Sequence, residues 1–529
     1  MTARQIEGDY TTLVEVLRAA ASVNAEVEAY VEPATADRPR RALTFAALDR
    51  AADGVAGLLA SKGVGPGTVV CLLLPSSIDY MVVYAAVVRL GAVTSGINLR
   101  LGTSEVLSIL ERTRPVVTVV DDGTVPPDGP VGAVVTRAEC GAASGGPPPS
   151  TWPTTGPGDP VAVVWTSGTT GLPKGAVFDH ASLRAVAEGI DVLSEPGDRR
   201  LSPLPFAHVG SMTRLWDEAA NGITTVITPS PWRPTDAVPV METERITVAQ
   251  GVPTQWALVL DRPELATADL TSLRIAGTGA SRVPAELVAA LRDALHVPVV
   301  VRYTSTEASL GTGTVPGDPD EAVATTVGRP VPGVELAVCD DDGSPVGTGE
   351  VGRVRLRSAA VMRGYWGGPL VGPGAAGVVL DRAATDQVLA DDGWLTTGDF
   401  GHLDGEGRLH LVGRANELYI RGGYNVYPAE VEGVIGEHPG VDQVAVVGAP
   451  DPVLGEIGVA FVVPAAGVDT DAAGLLAGLR EMARASLADY KAPDRLVVVD
   501  RLPLTSMMKV DKRVLADRAT RETNGAQQR

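Results

Sequence analysis

Behind Thr44, apolar residues return at Leu48, Ala51, Val55 and Leu58. Steps of three and four place these side chains on one face of a helix, and the threonine hydroxyl is positioned to cap its start. Gly63 and Gly65 end the pattern. Val69–Leu74 is then continuously apolar and closed by Pro75, as expected of a strand covered on both faces. Ile78–Leu90 returns to helical spacing and stops at Gly91. Repeated strand–helix units of this kind predict an α/β protein built on parallel, helix-covered sheet.

Further along, Gly141–Gly158 is dense in Gly, Pro, Ser and Thr and reads as a surface spacer. Pro160–Thr166 resumes as a strand. The stretch Gly364–Asp392 holds Gly368-Pro-Leu-Val-Gly-Pro-Gly-Ala-Ala-Gly377, which reads as a flexible patch. Near Gly413–Asn416 the pattern changes and divides the chain into domains at 1–414 and 415–529. The second portion reads as a smaller α/β unit, with strands at Val444–Val447, Val459–Val463 and Leu496–Val499 and a helix at Ala472–Leu487. The tail beyond Leu515 turns polar and is expected to fray.

The length of 529 residues supports more than one domain at roughly 100–200 residues each. With 44 basic against 64 acidic residues the net charge is −20, which disfavours nucleic acid and anionic membrane as partners. Such acidity does not prevent local phosphate binding by backbone N–H groups. Cys71, Cys140 and Cys339 are far apart and match no zinc or disulfide pattern, which fits a reducing cytoplasm. The polar stretch Met1–Tyr10 does not read as a secretory signal. The longest apolar run, Met81–Val88, stops at Arg89, well short of the ~18 residues of a membrane span.

The strand at Val161–Trp165 leads into Thr166-Ser167-Gly168-Thr169-Thr170-Gly171-Leu172-Pro173-Lys174-Gly175. Gly168 and Gly171 allow the chain to turn successive N–H groups inward. The hydroxyls add donors for phosphate oxygens, and Lys174 adds a movable cation. The loop is not the common P-loop, because Pro173 precedes Lys174 and Gly175 follows it. Gly277-Thr-Gly-Ala-Ser-Arg282 lacks the third glycine of a dinucleotide fingerprint.

The ten-residue run resembles the signature phosphate loop of the adenylate-forming superfamily, which includes acyl-CoA synthetases, nonribosomal-peptide adenylation domains and beetle luciferases. Other segments resemble that family in the same order. Leu204-Pro-Phe-Ala-His-Val-Gly210 would place His208 beside the acyl carboxylate and the thiol entrance. Gly277-Thr-Gly-Ala-Ser281 would bring Gly279, Ala280 and Ser281 against adenine. In Arg302-Tyr-Thr-Ser-Thr-Glu307, Tyr303 would stack on adenine, Thr306 would bond the α-phosphate, and Glu307, with Thr170, would hold Mg²⁺. Thr304 stands where the family has glycine. Trp394-Leu-Thr-Thr-Gly-Asp399 would present Asp399 to the ribose hydroxyls, and Arg414 would add a ribose or phosphate contact. In Asn416–Glu432, Asn416 occupies the hinge position, usually Asp or Lys, and Gly422 and Gly423 would admit the pantetheine arm. Leu502–Arg513 resembles the C-terminal Thr-x-x-Gly-Lys motif, with Met508 in place of glycine and Lys509 in the catalytic place; Lys512 is the decoy.

The resemblance implies a large N-terminal domain of stacked helix-covered sheets and a small mobile C-terminal α+β domain that acts as a lid. It also implies an AMP-forming acid–thiol ligase using ATP, Mg²⁺ and coenzyme A, with a small carboxylic acid as partner. Three other readings stay open. A freestanding enzyme could load a carrier protein; the 20 residues after Lys509 leave no room for a fused carrier. Nitrite could replace the carboxylate, for diazotisation of an aryl amine. A non-enzymatic nucleotide sensor would bind ATP without turnover. Under the family reading, the acyl pocket walls are Val209, Met212, Gln250–Val252, Gly277, Ser305 and Gly311, which carry no fixed charge and point to a medium apolar or aromatic acid.

Overall fold

The computed structural model describes residues 3–166, 173–229, 232–280, 283–369, 378–415, 417–422, 424–466, 472–505 and 509–527. The chain forms two compact units: Met1–Leu336 with Arg355–Thr396, and Ala337–Val354 with Thr397–Arg529.

The first unit contains two large sheets. One has nine strands, of which Val299–Tyr303, Ile275–Gly279, Val248–Gly251, Arg199–Ser202, Thr224–Ile227 and Glu28–Glu32 run parallel in that spatial order. The other has eight strands. Its parallel half is Pro160–Trp165, Val93–Gly96, Val69–Leu73, Val117–Val120 and Ala133–Thr136. Its antiparallel half adds Gly175–Asp179, Gly364–Pro369 and Val378–Leu380.

The helix Ile78–Arg89 contacts Glu28–Glu32 of one sheet and Val93–Gly96 of the other. All its residues except Asp79 are buried, which explains why Tyr80–Val88 is apolar on every side. Arg89 is the one charge buried in it, held at 2.6 Å by Asp49 and 2.7 Å by Asp53. The helix expected behind Thr44 is Phe45–Ser61, with the Thr44 hydroxyl accepting from Ala47 N at 3.2 Å. The expected strand at 69–74 is Val69–Leu73, buried throughout.

The spacer at 141–158 needs one correction: residues 141–143 form the last turn of the helix Arg137–Ala143, capped by Thr136. The flexible patch needs another. Gly364–Pro369 and Val378–Leu380 pair as antiparallel strands, and a short helix Arg382–Thr385 follows; residues 370–377 lie outside the described set.

In the second unit, strands Val441–Asp451 and Gly455–Pro464 form a long antiparallel pair, and Arg495–Val498 adds in parallel. Helices Pro428–Ile435 and Ala472–Ser486 pack against this sheet around Val431, Ile435, Val446, Leu475 and Leu479. The tail does not fray at Leu515. It continues as the helix Lys512–Gln527, because Leu515 and Ala519 bury against Ala445, Val447 and Phe461. The strand pair Leu395–Leu403 and Leu409–Arg414 also groups with this unit: Phe400 lies 5.5 Å from Tyr427, and a side chain at Gly413 would meet the Tyr427 ring.

Candidate active site

Thr166 and Lys174 stand at the mouth of an antiparallel hairpin, just beyond the pair Trp165↔Gly175. Thr166 N donates to Lys174 O at 2.8 Å, and Lys174 N donates to the Thr166 hydroxyl at 3.3 Å. The base is fixed from outside as well. Arg112 donates to Pro173 O at 2.6 Å and to Trp366 O at 3.1 Å, and Trp366 Nε1 donates back to Arg112 O at 3.0 Å. The loop's Ser167, Gly168, Thr169, Thr170 and Gly171 lie outside the described residues.

The Lys174 ammonium lies 5.1 Å from the ring centroid of Tyr365, a cation–π distance. The Tyr365 hydroxyl donates to Glu307 Oε1 at 2.7 Å, and Met362 N donates to Glu307 O at 2.8 Å. The strand Gly364–Pro369 thereby joins Lys174 of the candidate phosphate loop to the candidate metal ligand. Burial and the Glu307 charge push the Tyr365 hydroxyl well above the usual phenol range, so it stays a donor. Glu307 Oε2 has no hydrogen bond among the described residues. A carboxylate oxygen left without a hydrogen bond among the described residues fits Mg²⁺, which takes few protein ligands and retains water and phosphate oxygens. No group of three or more His, Cys, Asp or Glu among the described residues forms a closed metal site.

Sequence reading missed Tyr365, which fell in the segment taken as a flexible patch. The signal was the pair Tyr365-Trp366 directly after Gly364, in a chain with only 4% aromatic residues.

Thr304, Thr306 and Glu307 follow the strand that ends at buried Tyr303. Gly279 ends the neighbouring strand, where a Cβ would run into Arg302 O, and Ala280 follows at φ 66°. A non-glycine residue in that region stores strain of order 1 kcal/mol, a feature that clusters at binding turns. Ser281 lies outside the described residues. His208 caps the short helix Val209–Met212, its Nδ1 accepting from Gly210 N at 3.1 Å. The Thr213 hydroxyl at the end of that helix meets the Ser309 hydroxyl at 3.0 Å, which ties the His208 segment to the Glu307 turn.

Asp399, Arg414 and Lys509 come together in the second unit. Asp399 and Arg414 are register partners in the hairpin, with Arg414 Nε donating to Asp399 Oδ1 at 2.9 Å. Lys509 closes a loop in which Thr505 N donates to Lys509 O at 2.6 Å and Lys509 N donates to the Thr505 hydroxyl at 3.3 Å. Burial pushes the Lys509 ammonium down to about 8; Arg414 pushes the same way and Asp399 opposes. Lys512 is different in kind. Glu417 and Glu432 hold it, each at 2.8 Å, so its charge is spent within the unit. Gly422 turns the hairpin between Tyr419–Arg421 and Tyr424–Val426 at φ 57°, its N donating to Leu454 O at 2.8 Å. Asn416 and Gly423 lie outside the described residues.

The family model of the AMP-binding enzymes matches residues 17–366, and that of the AMP-binding enzyme C-terminal domain matches residues 430–509. This chain belongs to the AMP-binding enzyme family. It is 34% identical to an indoleacetate–CoA ligase of Aromatoleum aromaticum over 92% of this chain and 95% of the other. It is also 34% identical to a feruloyl-CoA synthase of an Amycolatopsis species, covering 89% and 93%. A solved anthranilate CoA ligase in complex with anthranoyl-AMP superposes with a TM-score of 0.86 at 25% identity, covering 98% and 99%. The mixed α/β fold with a large and a small part is the fold of that family.

Proposed function

We propose that this chain is an AMP-forming acid–thiol ligase that makes an acyl-adenylate from ATP and a carboxylic acid, then passes the acyl group to coenzyme A. The observation that carries the reading is family membership over nearly the whole chain, together with relatives named as CoA ligases.

In the first step a carboxylate oxygen attacks the α-phosphorus, and the bond to the β-phosphate oxygen breaks. Both reactants are anions, so fixed positive charge and N–H donors must balance the charge in line with the attack. The 166–174 loop takes the leaving pyrophosphate, with Lys174 held ready on the Tyr365 ring. Glu307 and Thr170 would hold Mg²⁺, which would supply charge neutralisation when bound. Thr306 donates to the α-phosphate, Tyr303 and the Gly279–Ser281 turn receive adenine, and Asp399 and Arg414 receive the ribose. Lys509 bridges the carboxylate and the α-phosphate.

In the second step the thiol attacks the mixed anhydride and AMP leaves. Lys509 must clear the path, so the lid 415–529 turns about Asn416, a gating motion. His208 lines the thiol entrance, and Gly422 and Gly423 let the pantetheine arm lie close to the backbone. No helix among the described residues is long and apolar enough to cross a membrane. A cytoplasmic enzyme with free coenzyme A at hand suits this chemistry. Supplying coenzyme A and phosphopantetheinylated carrier protein in parallel tests the acceptor: thioester on coenzyme A supports the reading, and thioester on the carrier alone replaces it.

A further inference from the structure

Helix Thr103–Thr113 is held to the eight-stranded sheet by Val106, Ile109 and Leu110, which bury beside Cys71, Leu73 and Val120. Arg112, in its last turn, makes contacts of another kind. One guanidinium nitrogen donates to Pro173 O at 2.6 Å and another to Trp366 O at 3.1 Å. The guanidinium also lies 5.5 Å from the ring centroid of Trp165. Trp366 Nε1 donates back to Arg112 O at 3.0 Å, so the helix end and the strand Gly364–Pro369 clasp each other from both sides.

Each residue that Arg112 touches is the chain neighbour of a site residue. Trp165 precedes Thr166, Pro173 precedes Lys174, and Trp366 follows Tyr365. A planar fork that binds carbonyls of two different segments sets both their separation and their angle. Here those segments carry Lys174 and the Tyr365 ring beneath it, and Tyr365 in turn holds Glu307.

The charge of Arg112 is not spent on a carboxylate. Arg18, Arg89 and Arg137, on other helices of the same unit, are each held by two or more carboxylates. The acceptors of Arg112 are neutral carbonyls, and no carboxylate is within ion-pair distance of it among the described residues. In a chain of net charge −20, an uncompensated cation at the base of this hairpin adds to the local field that draws an anion.

We propose that Arg112 is a positioning residue for the adenylation step. It seats Lys174 and, through Tyr365, Glu307 at a fixed spacing for the triphosphate, and its free charge adds to the attraction. Arg112 itself touches no reacting atom. The inference rests on the acyl-CoA ligase reading of the same site.

The test gives the full chain ATP, Mg²⁺, coenzyme A and an acid that supports pyrophosphate exchange, well below the Tm of each variant. Arg112→Met removes the fork and the charge. Its KM for ATP and for pyrophosphate should rise roughly 10- to 100-fold, the scale of loss when reacting groups are displaced from outside the site. Its KM for the acid, and thioester formation from supplied acyl-adenylate, should change by less than about threefold. Arg112→Lys keeps a charge and donors without the fork, so it should fall between Arg112→Met and the wild type. An unchanged KM for ATP in Arg112→Met overturns the inference and leaves the ligase reading intact. So do equal losses towards ATP, the acid and coenzyme A, which would mark a role in the fold alone. If Arg112→Met does not fold, Arg112→Gln takes its place and the same outcomes decide. A wild type without acid-dependent exchange brings down the ligase reading, and this inference with it.

Discussion

The Tyr365 hydroxyl donates to Glu307 Oε1 at 2.7 Å while the Tyr365 ring carries the Lys174 ammonium at 5.1 Å. One side chain thus orients the candidate metal ligand and parks the candidate phosphate-loop cation. Tyr365→Phe keeps the ring and loses the bond to the carboxylate. A hydrogen bond to a charged group contributes about 1.5–3 kcal/mol, so kcat/KM for ATP should fall roughly 10- to 100-fold. Pyrophosphate exchange titrated with Mg²⁺ checks this, and the half-saturating Mg²⁺ concentration should rise. An unchanged Mg²⁺ dependence would remove Tyr365 from the metal site.

Lys509→Ala should cut adenylate formation by roughly 10²–10³, the usual loss for one contact that acts on transition-state charge. Thioester formation from supplied acyl-adenylate should survive. Single-turnover measurement of the two half-reactions separates these outcomes, and an equal loss in both would argue against the assignment.

The two lysines of the C-terminal motif should separate cleanly. Lys512→Ala leaves Glu417 and Glu432 without their shared partner, at a cost of about 3 kcal/mol for a broken, mostly buried pair. Its Tm should drop by several degrees, with adenylation preserved below that temperature. Thermal unfolding of the two variants side by side, with pyrophosphate exchange on each, checks the contrast.

Lys509 also predicts a pH dependence. Its ammonium is pushed down to about 8, so it is protonated below that pH and loses its charge above it. If the cation is what bridges carboxylate and phosphate, kcat/KM for adenylation should fall as pH rises through about 8. Asp399 opposes the downward push, so Asp399→Asn should move the midpoint lower still. A profile flat to pH 10, the range of an ordinary lysine, would contradict the role.

Hydrophobic spacing carried the helices Phe45–Ser61 and Ala472–Ser486 and the strands around Val69 and Val459, because burial alone decides those elements. The helix Lys512–Gln527 was not legible. Its polar sequence stays helical through a narrow stripe that includes Leu515 and Ala519, and the partner of that stripe is a sheet formed far earlier in the chain. Tyr365 was hidden by its neighbourhood, since glycine and proline downstream suggested a loop where a strand continues the sheet.

The most direct test of the central claim follows all products from ATP, a panel of carboxylic acids and coenzyme A. Acid-dependent release of pyrophosphate and AMP, with acyl-CoA formed in equal amount, is the predicted result. Release of ADP and phosphate, or AMP formation that ignores the acid, would contradict it.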